Sequence, residues 1–596
     1  MVEVLTHTTH HWGINMLLND DKEKVSGYTR QELEILRKDA KEKFEELKAE
    51  WTDNLLWTLP RRARFLLSDQ NRLDIKGYHI FDGTHVLSHR SFVAGFLEGN
   101  TSASRPWMRW VHRDADRNRH PKVRGFLDKL TMSSLANLNV SNFYHEAAQF
   151  YYDFGAVNTG CHIIKRRGNV MHFFTLLPGS YYVINNAFSE PEILVREFSL
   201  DAIALVKRYG KKKNGNWDWS IFSQRVKELY DVSDTKSKIE CVEIYLRNKD
   251  FKVENPVGGS NRQWSSITYE TGITTSTGFQ SQVYDPPGKS TTEFKYLELS
   301  NYRRRPFILG KAQGELYGER GPTTDAIDLI RSLNKKAVSK DIAIEKMLDP
   351  TMQGPAGLHK SYITTQARRY IGLDATALAQ GGMRTAYDIN PAIGTLTADV
   401  MDMRNQVEKF FYADFLLFLS NNPKTRTATE AQAVIDEQRS VVGPNLQSLN
   451  QTYNRVVAEY SMDFSLENDP FLGPIPEELA GEEIEVEFTS VFAQVQRAFD
   501  LPQINSYVDR WIGLAQLNPQ AWSHINLQTL ADIYEDRYQL PVNLNNPASK
   551  VEALMQQAQQ DMQRQQMMQN LPGIAQAGKN VAEAQALSGG ENVPAI

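Results

Sequence analysis

An α+β fold is what this sequence predicts, and three observations carry that expectation. Short β-rich runs separated by turn residues fill residues 160–308. Segments with apolar residues recurring every three or four positions follow Pro322. At 596 residues the chain exceeds what one hydrophobic core usually supports, so several domains are expected.

Gln31 to Thr52 is charged, with Leu33, Ile35, Leu36, Phe44 and Leu47 near helical spacing, which predicts an amphipathic helix packed on the main body. Ser102 to Phe154 is mixed. Trp107, Trp110, Phe126 and Leu127 precede a helix predicted over Asn142 to Phe154. Strands are predicted at His162-Ile163-Ile164, Val170 to Leu177, Tyr181 to Ile184 and Ile239 to Leu246. Arg167-Gly168-Asn169 and Pro178-Gly179-Ser180 supply turns between them. Ser199 to Tyr209 and Trp219 to Tyr230 read as helices, so residues 55–310 are expected to form an α+β domain.

After Pro322 come three helical patterns and one irregular insert. The first helix is predicted over Thr324 to Leu348, with Ile327, Ile330, Ala337, Ile344 and Met347 roughly on one face. Thr323 or Thr324 would cap it, and Asp349-Pro350 would stop it. The insert, Thr351 to Asn390, holds Gly354, Pro355, Gly357, Gly372 and Gly381-Gly382 with short strand-like pieces. The second helix is predicted from about Thr395 to Leu419, followed by a polar loop, Ser420 to Arg426. Thr427-Ala428-Thr429-Glu430 is a capping box for the third helix. Val434, Ile435, Val441, Val442, Leu449, Tyr453, Val456 and Tyr460 mark its apolar face, and Gly443-Pro444 should bend it. Pro470 to Pro476 reads as a linker, Ile484 to Phe488 as a strand, and a helix begins near Ser490. Val551 to Gln569 is a Gln- and Met-rich helix. The chain from about Pro572 is Ala/Gly/Gln-rich and expected to be loose.

Net charge is −5, whereas a protein that grips DNA tightly usually carries a basic surplus, so any DNA contact should be local or sliding. The two cysteines, Cys161 and Cys241, form no CxxC, which argues against a disulfide framework or structural zinc and fits a reducing compartment. Met1-Val2-Glu3-Val4 lacks the basic and apolar regions of a signal peptide. The most apolar stretch, Phe410 to Leu419, is interrupted by Asp414 and too short to span a bilayer, so no membrane is expected.

No catalytic residue, metal site or cofactor is expected. Gly354-Pro355-Ala356-Gly357-Leu358-His359-Lys360-Ser361 is the nearest approach to a phosphate-binding loop. That loop needs glycine immediately before the lysine, where His359 stands. His7, His10 and His11 read as surface histidines. His145-Glu146 lacks the second histidine of a zincin motif, and Asp114/Asp116 and Glu482/Glu483 read as solvated carboxylates. No GxSxG is present. Three polar groups are candidates for binding. Lys424 and Arg426 sit between two long helices, either as an exposed turn or as a loop reaching phosphates in a pore. Asp399, Asp402, Gln406 and Lys409 share one face of the second helix, either simply solvated or lining a channel. Lys360, Arg368, Arg369 and Arg384 make the insert basic, for DNA, an acidic partner or solvent.

The order of these features resembles the portal, or head-to-tail connector, proteins of short-tailed bacteriophages, over roughly residues 30–515. Gly99-Asn100-Thr101-Ser102 with Pro106-Trp107 is similar to the family's early segment, and Ser141-Asn142-Phe143-Tyr144 with Asp153-Phe154-Gly155 to its next block. Pro178-Gly179-Ser180-Tyr181 and Val195-Arg196-Glu197-Phe198 resemble its strand region. Tyr317-Gly318-Glu319-Arg320-Gly321-Pro322, then Leu329 and Leu333-Asn334, resembles the turn entering the family's first stem helix. Thr427-Ala428-Thr429-Glu430 with Val442-Gly443-Pro444 resembles its long helix, and Phe488-Thr489-Ser490 with Ala493-Gln494 its strand-to-helix junction. Gly310-Lys311-Ala312-Gln313 departs from the pattern, standing where relatives often have an Arg-Trp pair.

The resemblance implies an N-terminal helical segment (1–54), a wing (55–322 and 470–515) and two stem helices (323–348 and 393–419). It further implies a clip (349–392), a tunnel loop (420–427), a long bent helix (428–469), a helical crown (516–571) and a flexible tail. It implies a homo-oligomeric ring, typically of twelve subunits, at one capsid vertex of the virion, assembled in the host cytoplasm. Duplex DNA would pass through it during packaging and ejection without sequence readout, touching Lys424 and Arg426, while Asp399 and Asp402 limit sticking. The terminase large subunit and then a tail adaptor would dock at the clip, near Lys360, Arg368, Arg369 and Arg384, and major capsid and scaffold proteins would hold the wing. The alternatives are a tail adaptor ring protein and, from another class, a DNA-packaging ATPase or nuclease, which ATP turnover would distinguish.

Overall fold

The computed structural model describes residues 26–66, 80–118, 120–213, 215–251, 262–275, 278–280, 296–311, 317–318, 321–348, 352–353, 376, 379, 384–385, 393–413, 443–479, 483–490, 492–493, 504, 506–511, 530, 557 and 561. The chain divides into two compact units, Met1–Ala493 and Gln494–Ile596. In the second, the described residues are helical, and Tyr507 meets Trp511 edge-on. Residues 428–442 of the predicted long bent helix and, apart from residues 557 and 561, the predicted Val551–Gln569 helix lie outside the described residues, as do Lys424 and Arg426. Among the described residues no helix is long and apolar enough to cross a membrane.

The first unit is mixed helix and sheet. Helix α1 (Arg30–Thr58) opens with a capping box: Thr29 Oγ1 accepts from the Glu32 amide, and the Glu32 carboxylate accepts from the Thr29 amide at 2.8 Å. Leu33, Ala40, Phe44, Trp51 and Leu55 are its buried stripe. Ile35, predicted on that stripe, is 52% exposed, because two helical positions from Leu33 is roughly 200° around the axis. Then come α2 (Thr84–Asn100), β1 (Met108–His112), the single turn α3 (Ala115–Asn118), α4 (Pro121–Val140) and α5 (Phe143–Val157).

Next in the chain are β2 (Thr159–Arg167), β3 (Val170–Leu176), β4 (Tyr181–Asn185), β5 (Pro191–Leu200), α6 (Ala202–Tyr209), β6 (Lys212–Lys213), β7 (Asn216–Trp217), α7 (Gln224–Asp231), β8 (Lys238–Arg247), β9 (Trp264–Thr275), β10 (Gly278–Gln280), β11 (Glu298–Tyr302) and β12 (Phe307–Lys311). The larger sheet is antiparallel in the order β10-β9-β8-β5-β4, with β11 also on β9. The smaller is β12-β2-β3. Ser199 and Leu200, predicted helical, instead extend β5, because they pair with Glu240 and Ile239. The following helix starts only after Asp201, whose carboxylate caps it by accepting from the Ala204 amide at 3.3 Å. Helix α7 likewise begins after Ser223 rather than at Trp219. Asp218 ties Ser220 into a turn, accepting from its amide at 3.1 Å and its hydroxyl at 2.7 Å.

The remaining elements are α8 (Pro322–Leu348), β13 (Met352–Gln353), β14 (Arg384–Thr385), α9 (Ile393–Phe410), α10 (Arg455–Asn468) and β15 (Ile484–Phe488). Proline, not threonine, opens α8, in the first-turn position where its missing N–H costs nothing. Thr323 and Thr324 lie inside the helix and bind elsewhere, Thr323 Oγ1 donating to the Gly155 carbonyl at 2.7 Å. Helix α9 breaks after Phe410, because Tyr412 adopts φ +55; Ala413 is helical again, and residues 414–419 of the predicted helix lie outside the described residues. The helix entering α10 is described from residue 443, and a π turn at Asn450–Asn454 interrupts it beyond Gly443-Pro444. There Ser448 Oγ donates to the Lys311 carbonyl at 2.6 Å, and Thr452 Oγ1 accepts from the Lys311 amide at 3.2 Å. Hydroxyls engaged with a neighbouring strand thus sit where the helical ladder is widened.

Three cores result. Helices α2, α4, α5 and α10 with β1 enclose an aromatic core around Phe92, Phe96, Trp107, Phe150 and Tyr453, the last two rings stacked 3.9 Å apart. Helix α1 packs on the sheets through Phe44, Trp51, Tyr181 and Tyr317. A third, small core joins α6 and α7 to Ile239 and Cys241. The strand predicted at Ile484 to Phe488 pairs with β1, joining Met108 to Phe488 and His112 to Ile484. Gly310, at the sequence departure, sits where an added Cβ would lie 2.2 Å from the Phe150 ring, so no side chain fits there.

Candidate functional site

The predicted channel residues fall on α9, which packs against α8. The Lys336–Asp399 ion pair joins the two helices. Asp82 touches both, its amide donating to Asn334 Oδ1 at 2.9 Å and its carboxylate accepting from Arg404 at 2.8–2.9 Å. Residue numbers rise on one helix as they fall on the other, so the pair is antiparallel. Between them the insert is closed at its base by the ladder Met352–Thr385 and Gln353–Arg384.

Asp399 therefore spends its charge on Lys336. Asp402 is exposed and accepts from Gln406 at 2.7 Å one turn on, and Lys409 is exposed on the following turn. Met401 (58% exposed) and Phe410 (39% exposed) lie beside them, so the face is mixed rather than purely polar. Of the basic insert, Arg384 stands in the ladder; Lys360, Arg368 and Arg369 lie outside the described residues.

Asn334, Arg404 and Asp82 organise this region, and sequence reasoning missed all three roles. Asn334 Oδ1 accepts from both the Phe81 and Asp82 amides, while its Nδ2 donates to the Ile330 carbonyl at 2.8 Å. Burial pushes the Asp82 carboxyl up, but bonds from Thr84 and Arg404 outweigh it and hold it below the usual range. Only the presence of Asn334 at a core position of α8 hinted at such a clamp.

Buried titratable groups elsewhere are engaged in packing. Glu243 is buried, which alone would raise its pKa, yet Lys165 and Arg196 hold it below the ordinary value. Asp153 receives both arms of Arg62, and burial still raises it to about 6. Burial pushes both cysteine thiols up, so neither is an activated nucleophile. Among the described residues no group of three or more His, Cys, Asp or Glu could hold a metal ion. A cavity of about 250 Å³ is bordered by Arg247, Arg304, Arg305, Glu190, Glu192 and Glu459, with Arg304 already paired to Asp463 and Glu459.

A family model described as bacteriophage head to tail connecting protein matches residues 30–545. The chain is similar to a protein named "Probable portal protein" of Bordetella phage BPP-1, 27% identical over 520 residues, covering 86% of this chain and 88% of that one. It is also similar to a protein named "Portal protein" of Salmonella phage epsilon15, 24% identical over 544 residues, 90% of this chain and 92% of that one.

Proposed function

The chain belongs to the bacteriophage head to tail connecting protein family, and on that premise we propose that it is a portal subunit, one member of the ring that joins the head to the tail at a capsid vertex. The observation that carries the reading is extent: the family match runs through both sheets, the α8–α9 pair and α10, and both portal relatives are matched along most of their length.

In this reading α8 and α9 are the stem and the insert closed by β13 and β14 is the clip. Residues 55–322 and 470–515 are the wing, and 516–571 the crown. A closed ring requires a heterologous interface whose rotation closes, and two long antiparallel helices offer each neighbour a flank while leaving a face for the channel. Asp402, Gln406 and Lys409 are candidates for that channel face. DNA would be held by charge alone, at Lys424 and Arg426 on the loop after the second stem helix. Terminase and then a tail adaptor would dock at the clip, with its basic residues Lys360, Arg368, Arg369 and Arg384; capsid and scaffold proteins would hold the wing. The chain's own role is structural: a conduit and platform for a motor that hydrolyses ATP elsewhere.

Electron microscopy with mass by light scattering tests this. Twelve copies of a 67.9 kDa chain give a hollow ring of about 815 kDa. A monomer that turned over ATP would overturn the reading and favour a packaging enzyme.

A further inference from the structure

The annex between β5 and β8 lies within the region read above as the wing, but none of its residues has been given a role. Helix α6, the β6–β7 hairpin and α7 have a core of their own, in which Leu205, Val206, Tyr209 and Val226 pack on Ile239 and Cys241. Its charge sets it apart. Residues 207–238 contain nine Lys or Arg and four Asp or Glu, in a chain of net charge −5. Several cations elsewhere share buried or half-buried carboxylates: Arg37 and Lys41 share Glu197, Lys165 and Arg196 share Glu243, and Arg304 takes Asp463 and Glu459. Within the annex Lys213 pairs with Asp218 and Lys238 with Asp201. Lys207, Arg208, Lys211 and Lys212 are exposed, with no carboxylate in ion-pair range among the described residues.

The hairpin that carries two of them is firmly anchored. Trp217 Nε1 donates to the Tyr230 hydroxyl at 3.0 Å, and Trp219 meets the same tyrosine edge-on with centroids 5.3 Å apart. The Trp217 ring also closes on Gly210, where a Cβ would meet it at 2.9 Å. Lys212 lies over the Trp217 face, 4.9 Å from its centroid. Backbone and rings are fixed while the cationic ends remain in solvent.

We propose that this annex is a second contact for duplex DNA, through phosphates, at Lys207, Arg208, Lys211 and Lys212. The choice of DNA over an acidic protein rests on the portal reading. It also rests on the arrangement, since four unmatched cations spread over a helix end and a hairpin suit a sequence-independent run of phosphates. The annex's aromatic rings are already packed on one another rather than offered to a partner.

The test uses the full assembled chain and a random-sequence duplex, with binding measured by fluorescence anisotropy across a salt series. Replacing all four residues with Gln should weaken binding about tenfold or more near 0.1 M salt and flatten the log–log salt slope by about three to four. Lys38→Gln with Lys43→Gln, on the exposed side of α1, should change neither. In the unsubstituted chain, bound duplex should protect Lys207, Lys211 and Lys212 from acetylation, a readout that requires no variant. Unchanged affinity and slope, or absent protection, overturns the proposal. So does loss of capsid filling with DNA binding intact, which would assign the cations to an acidic protein. Ring mass measured on the same samples keeps the two readings apart: a chain that forms no ring yet loses DNA on substitution sinks the portal reading and leaves this site standing.

Discussion

Gly318 shows how one residue can be required by its surroundings. Its φ is +79, a region that costs other residues roughly 1–2 kcal/mol. An added Cβ would lie 2.5 Å from buried Trp51, whose Nε1 donates to the Gly318 carbonyl at 3.3 Å. Gly318→Ala should therefore lower stability by about 2–4 kcal/mol, read from the urea midpoint; a shift within about 0.5 kcal/mol would contradict this account. Buried titratable groups set the pH response. Burial lowers His89 to about 4 and His162 to about 3, from an ordinary 6.5. The unfolded chain takes up those protons first, so their stability is full above about pH 6.5 and is lost as pH falls toward 4. Asp153, raised by burial to about 6, acts oppositely: its contribution is full below its ordinary 3.8 and is lost as pH rises through 6. Two histidines outweigh one aspartate, so stability should fall by on the order of 2 kcal/mol from pH 7 to pH 5, read as a lower urea midpoint. A midpoint that rose on acidification would show that other groups dominate.

At the scale of elements, Asn334 fixes how α8 meets the segment entering α2. Asn334→Leu preserves helix and volume but leaves the Phe81 amide and the buried Asp82 amide without their acceptor, a cost of about 1–3 kcal/mol. Hydrogen exchange at those two amides should quicken more than at α5, and equal protection in variant and parent would refute the clamp. Element boundaries separate what was legible from what was not. The strands at Tyr181 and Ile239, the helix at Phe143 and the strand at Ile484 announce themselves by period and composition. The break in α9 does not: Tyr412 leaves the helix with Phe411 buried and its own hydroxyl accepting from Asn445 at 3.2 Å, a tertiary demand with no local signature. The π turn is hidden for the same reason, since Ser448 and Thr452 answer to Lys311 on a distant strand.

For the whole molecule, a single chain leaves Ile342, Met347, Leu348 and Met401 exposed along α8 and α9. Isolated exposed apolar residues are ordinary, but four on one helix pair suit a flank that neighbouring subunits cover. Ile342→Asp with Met347→Asp should leave chain stability within about 0.5 kcal/mol of the parent, because both residues are exposed within one subunit. Light scattering should then report a mass near 67.9 kDa in place of a ring. A full-sized ring from that variant would move the subunit interface off these helices.

By itself the sequence determined the class and order of the elements, because amphipathic period, turn chemistry and capping are local properties that the backbone obeys before any long-range contact forms. It also carried the family, through many short motifs in a consistent order. Only the tertiary structure decided which polar residues are free to act. Asp399, readable as a channel charge, is neutralised by Lys336 across α8 and α9. Lys207, Arg208, Lys211 and Lys212, unremarkable in the sequence, are left unmatched on an anchored hairpin and helix end. Ion pairing depends on distances between segments far apart in the chain, and neither period nor composition encodes those distances.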